Sequence, residues 1–130
     1  MLDNWLSKLF GRQQDAPPQR CAIPHIRVAH DERVVSVRDD NGRVALINWD
    51  DVMAVKVIVA RTGPDPEFSW LLAHRDGRGA LGVPMGAHGE AAFVKAMQAR
   101  YSGFDNMAVV EALSSPVAGE FQIWPPLDIA

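Results

Sequence analysis

Strands come first along this chain and helices after them, an order that predicts an α+β fold. Three observations carry the prediction. Short runs of alternating apolar residues fill the stretch from Ile26 to Pro84. An Asn-Gly pair, Asn41-Gly42, joins two of those runs as a hairpin turn would. Beyond Met85 the apolar spacing changes to a helical period. About five or six strands of this length make a sheet that must hide one face.

The elements follow in chain order. Leu2, Trp5, Leu6, Leu9 and Phe10 fall at i, i+3, i+4, i+7 and i+8, which predicts a short amphipathic helix over 1–11. Residues 12–24, RQQDAPPQRCAIP, are polar with three prolines and read as a linker. A single α+β domain over 25–130 follows. In RVVSVR, Val35 and Val37 share one strand face. Asp39 to Gly42 forms the hairpin turn, with positive φ tolerated at both central positions. The return strand, RVALINW, puts Val44, Leu46 and Asn48 on one face. Asp50-Asp51 makes a tight turn into the strand VMAVKVIVA. Pro64 and Pro66 make RTGPDPE a loop. FSWLLAH carries Phe68, Trp70 and Leu72 on one face and Ser69, Leu71 and Ala73 on the other, so a second layer is expected over the second face. After the turn RDGRG comes a short strand, ALGVPM.

GAHGEAAFVKAMQARY has helical spacing through Ala92, Phe93, Ala96 and Met97, with Glu90 in a first turn that favours negative charge. Asp105 can N-cap a second helix, NMAVVEAL, whose Met107, Val110 and Leu113 form a stripe. FQIW is a final strand. The expected architecture is an antiparallel, strongly bent sheet closed by C-terminal helices, pleckstrin-homology-like, with the N-terminal amphipathic helix outside it. A flatter sheet with both helices on one face is the alternative.

Bulk properties exclude several classes. A chain of 130 residues is one domain's worth and needs no metal or disulfide to hold its core. A 48% hydrophobic and 22% charged composition is that of an ordinary soluble globular protein. A net charge of −3, with basic residues spread along the chain, argues against a nucleic-acid partner. Cys21 is the only cysteine, so no internal disulfide can form, and a cytoplasmic location is expected. Asp3, Asn4, Ser7 and Lys8 interrupt the first apolar run, which a secretory signal would keep continuous.

The blocks LINWDDVMAVKV, RTGPDPEFSWLL, VPMGAHGEAAFVKAM, GFDNMAVVEAL and FQIW, in this order over roughly residues 33–124, resemble a family of small bacterial proteins. The resemblance implies one small domain. It brings no activity, cofactor or catalytic residue with it.

Residues able to carry chemistry are few. His25 and His30, with Asp31 and Glu32, have metal-ligand donors, but a spacing of five on a strand points the two imidazoles to opposite faces. They read as solvated residues at a strand entry. His74 beside Asp76 reads as a turn pair rather than an oriented base. MGAHGE lies between a strand and a helix, where a phosphate cradle would sit, yet lacks the Lys and Ser/Thr of a P-loop. Asp50, Asp51, Asp65, Glu67 and Asp105 would line one rim only if their loops share an end of the sheet. Cys21 has no histidine near it in sequence.

The function expected from sequence is therefore a non-catalytic protein-interaction or adaptor domain, without cofactor or metal. Its candidate partner-binding residues are Leu2, Trp5, Leu6, Leu9 and Phe10, and its candidate loop rim is Asp65, Glu67 and His88. The N-terminal stripe has three possible occupants: the chain's own sheet or a second copy, a partner protein, or a membrane surface. The alternative functions are a peripheral membrane protein held by residues 2–10 and a small hydrolase-like or metal-dependent enzyme using His and Asp residues.

Overall fold

The computed structural model describes residues 25–127. The predicted N-terminal helix, the linker and Cys21 lie outside the described residues. The α+β class holds, but the single strongly bent sheet does not. Among the described residues seven strands form two antiparallel sheets, of three and four strands, and neither closes nor curls strongly. The first is β1 (Arg27–His30), β2 (Val34–Arg38) and β3 (Val44–Asn48), in that order. The second has the order β6-β5-β4-β7, from β4 (Val52–Ala60), β5 (Glu67–His74), β6 (Ala80–Pro84) and β7 (Gly119–Trp124). Two helices, α1 (Glu90–Arg100) and α2 (Asn106–Leu113), lie between β6 and β7 in sequence.

The chain splits into two sheets because β3 cannot run straight into β4. Trp49–Asp51 form a single 3-10 turn there, and Trp49 is buried in it. Its indole Nε1 donates to the Asp31 carbonyl at 2.9 Å, and its backbone N–H donates to Arg33. The turn is thereby pinned to the β1–β2 connection, and β4 starts in a new direction.

The β2–β3 turn corrects a detail of the sequence reading. Gly42 alone has positive φ, at 84°, and Asn41 does not. Asp39 organises the turn instead. Its Oδ1 accepts from the N–H groups of Asn41 and Arg43, each at 2.9 Å, and Arg43 Nε lies 3.3 Å from Oδ2. A buried carboxylate that accepts backbone donors replaces the two left-handed residues of the tighter turn.

One core joins both sheets. Val28, Val35, Val37 and Ile47 face it from the three-stranded sheet, and Val55, Val57, Val59, Trp70, Leu72, Leu81, Val83 and Ile123 from the four-stranded one. Phe93 and Met97 of α1 and Ala112 of α2 fill the space over them. Cross-strand register sets the common face: Val57 pairs with Trp70 and Phe121, and Val55 with Leu72.

Gly89 is fixed by this arrangement. It sits at φ 93° at the head of α1, and a Cβ there would collide with the Val28 carbonyl oxygen. Beside it the backbone of His88 is bonded both ways to β1, accepting from Val28 N and donating to Ile26 O, each at 2.8 Å. Replacing Gly89 by Ala therefore strains φ and forces α1 off β1. The expected loss is about 2 kcal/mol or more, read from urea unfolding.

Candidate functional site

Three places on the described surface invite a ligand. The first is a shallow, open cleft of about 540 Å³ between the β1–β2 turn and the C-terminal half of α1. Ala96 and Ala99 leave its space free, and Trp49 forms its floor. The Arg100 guanidinium lies 5.0 Å above the Trp49 ring, and the His30 ring meets that indole edge-on at 5.9 Å. Two of its polar groups are engaged within the chain. Arg100 Nη2 donates to Glu32 O at 2.8 Å, and Asp31 Oδ1 accepts from Arg33 N and Val34 N. Those two backbone donors hold the Asp31 carboxyl below its ordinary pKa. The Arg100–Glu32 bond and the Asp31 turn tie α1 and the β1–β2 connection together around this cleft.

Tyr101 belongs to the same junction. Its hydroxyl donates to the Trp49 carbonyl at 2.9 Å, and its ring stacks on Trp124 with centroids 4.3 Å apart. Burial, helped by the nearby Asp50 charge and opposed by Arg100, pushes the phenol up to about 12 from 10.0. A group raised in this way contributes stability that is complete below the unfolded value and is lost as pH climbs through the folded one. Unfolding midpoints are expected to hold to about pH 10 and fall toward pH 12. Tyr101→Phe should flatten that alkaline limb, measured by urea denaturation across the range.

The second place is the β5–β6 turn. His74 Nδ1 accepts from Asp76 N at 3.0 Å, and its Nε2 lies 3.6 Å from Asp51 Oδ2. Arg75 Nη2 donates to the Asp50 carbonyl, so the cluster ties the 3-10 turn to this hairpin. Among the described residues no group of three His, Cys, Asp or Glu side chains is placed to hold a metal ion. The five carboxylates do not form one rim. Asp50 and Asp51 stand at the His74 end of β4, Asp65 and Glu67 at the opposite end, and Asp105 Oδ1 caps α2 by accepting from Ala108 N at 3.0 Å.

The candidate loop-rim residues come from the β4–β5 connection and from the segment between β6 and α1. Asp65 and Glu67 lie at the exposed β4–β5 connection. His88 lies against β1, to which its backbone is bonded. The cradle between Gly86 and Glu90 is filled by the chain itself. Glu90 Oε1 accepts from Gly86 N and Oε2 from Trp70 Nε1, both at 2.8 Å, so a carboxylate already occupies the head of α1. Leu2, Trp5, Leu6, Leu9 and Phe10 lie outside the described residues.

The third place is α2, where the structure decides which way the stripe faces. The stripe Met107, Val110 and Leu113 points to solvent, with exposures of 66%, 53% and 44%. The helix packs inward through Ala108, Val109 and Ala112. Small residues let it lie close to β4 and β7, and the larger side chains stay outside. Val117, in the next loop, is exposed as well. Sequence periodicity marked the stripe but could not tell which face it was on. Charge offers a further signal: no Lys or Arg occurs after Arg100, while Asp105, Glu111, Glu120 and Asp128 do. Glu111 is exposed on α2 itself.

No family model, curated protein or solved structure matches the chain. The described residues thus define only an α+β fold of two antiparallel sheets and two helices. None of the described helices is long and apolar enough to cross a membrane.

Proposed function

We propose that this is a non-catalytic protein-interaction domain and that the outward face of α2 is its contact surface. The observation that carries the reading is the solvent-facing stripe Met107–Val110–Leu113, on a helix that buries its alanines. A contiguous apolar strip on an ordered helix is what a partner helix packs against. The surroundings favour a particular chemistry. With acidic and no basic residues beyond Arg100, the surface suits an amphipathic helix edged by Lys or Arg. A second copy through α2 alone is a poorer fit. Four exposed side chains present a few hundred Å², whereas a standard interface buries about 800 Å² on each partner. The resemblance to a family of small bacterial proteins adds a single small domain to this picture and no reaction.

A charge in the strip is the test. Val110→Glu should weaken binding to the physiological partner at least tenfold and leave the fold intact. Leu46→Glu, on the exposed face of the three-stranded sheet, should leave binding unchanged. Equal loss in both variants would defeat the assignment.

A further inference from the structure

The four-stranded sheet has a second face, apolar around Ile58 and Leu71 and charged at its β7 side. Both helices lie on the face that carries Trp70, whose ring meets Phe93 and Phe104 at 6.4 and 6.1 Å. Ala112 of α2 joins the same core. The reverse face is set by register: Ala54 beside Ala73, Lys56 between Leu71 and Gln122, and Ile58 between Ser69 and Glu120, with Lys56 Nζ 3.3 Å from Glu120 Oε1 at the β7 side. On β6, Gly82 lies beside Leu71 and Pro84 beside Ser69. None of Ala54, Ile58, Leu71 and Ala73 belongs to the shared core. Yet Ala54, Ile58 and Ser69 are 6%, 2% and 3% exposed. Among the described residues neither helix covers this face. An apolar sheet face without a second layer is not a stable end state in water.

We infer that the chain's own N-terminal segment supplies that layer, with Leu2, Trp5, Leu6, Leu9 and Phe10 lying across Ile58, Ser69 and Leu71. The shapes are reciprocal. Beside the Lys56–Glu120 pair, the floor is made of Ala, Ser, Gly and Pro around one Ile and one Leu, with little bulk. The segment offers Trp, Phe and three Leu on one helical stripe. Large side chains over a small-residue floor give the interdigitation that a packed layer needs. Reach is sufficient, since the 13-residue linker 12–24 spans roughly 40 Å when extended. Tethering also raises the segment's effective concentration to a level no free partner matches, so a modest area is enough. This surface lies across the sheet from α2, and the two assignments fail separately.

Thiol accessibility in the full chain tests the inference. Cys21→Ser removes the native thiol, and Ser69→Cys places a near-isosteric one on the buried face. Maleimide labelling is expected to be slow in this chain and at least tenfold faster when Leu6→Glu and Leu9→Glu are added. Leu46→Cys, on the other sheet, is the control and should label equally in both backgrounds, with unchanged circular dichroism reporting the fold. Should Leu6→Glu/Leu9→Glu unfold the chain, a short bismaleimide replaces it as the test. It should join Leu6→Cys to Leu71→Cys within one chain and leave Leu6→Cys with Val110→Cys unjoined. Equal labelling of Ser69→Cys in both backgrounds, joining to position 110, or protection that vanishes on dilution, as for a second copy, would overturn the inference.

Discussion

Trp49→Ala is expected to be the most damaging single substitution in the chain, lowering stability by about 3–5 kcal/mol and the thermal midpoint by more than about 10 °C. Four consequences converge on one side chain. The indole is 2% exposed, so truncation leaves a cavity in the core. Its contacts with Phe93, Tyr101 and His30 go with it. The Asp31 carbonyl loses its Nε1–H donor, and the β1–β2 turn loses its tie to the second sheet. Arg100 loses the ring beneath it. Trp49→Phe should recover the packing but not the Nε1–H bond, and so fall between the two. Urea unfolding of the three chains measures the order. A loss below about 1 kcal/mol for Trp49→Ala, the scale of an ordinary substitution, would contradict the role of Trp49 as the joint between the sheets.

Val110→Glu is expected to have the opposite profile, a large effect on binding and almost none on folding. Val110 is 53% exposed, and only its backbone carbonyl is used within the helix end, accepting from Ser114 Oγ at 2.9 Å. Glu is at least as good a helix former as Val. Stability should therefore stay within about 0.5 kcal/mol of the parent. At the interface the carboxylate would be desolvated against apolar groups, a cost that should weaken binding at least tenfold. Circular dichroism melting alongside a titration with the partner separates the two effects.

The strands, their order and both C-terminal helices were legible in the sequence because each is encoded locally. Alternation marks Val35 and Val37, and Asp105 caps α2 as its position before NMAVVEAL implies. What local patterns do not hold is the pairing between elements. The number of sheets depends on how the Trp49–Asp51 turn redirects the chain, and a Trp-Asp-Asp triplet does not state that angle. A stripe at helical spacing likewise identifies a face without saying whether it is buried. On α2 the alanines won the interior because they allow closer approach to β4 and β7, so the larger Met107, Val110 and Leu113 were left outside. His88 is recruited to β1 by backbone bonds that no side-chain pattern announces. Glu90 was readable as a helix-start carboxylate, but its hold on Trp70 Nε1 and Gly86 N is tertiary.

Site-specific photo-cross-linking in living cells tests the contact surface most directly. A benzophenone side chain at position 110 should trap one partner in a discrete adduct, and the same probe at position 46 should trap none. An adduct from position 46 but not from position 110, or the same adduct from both, would contradict the assignment of α2 as the binding face.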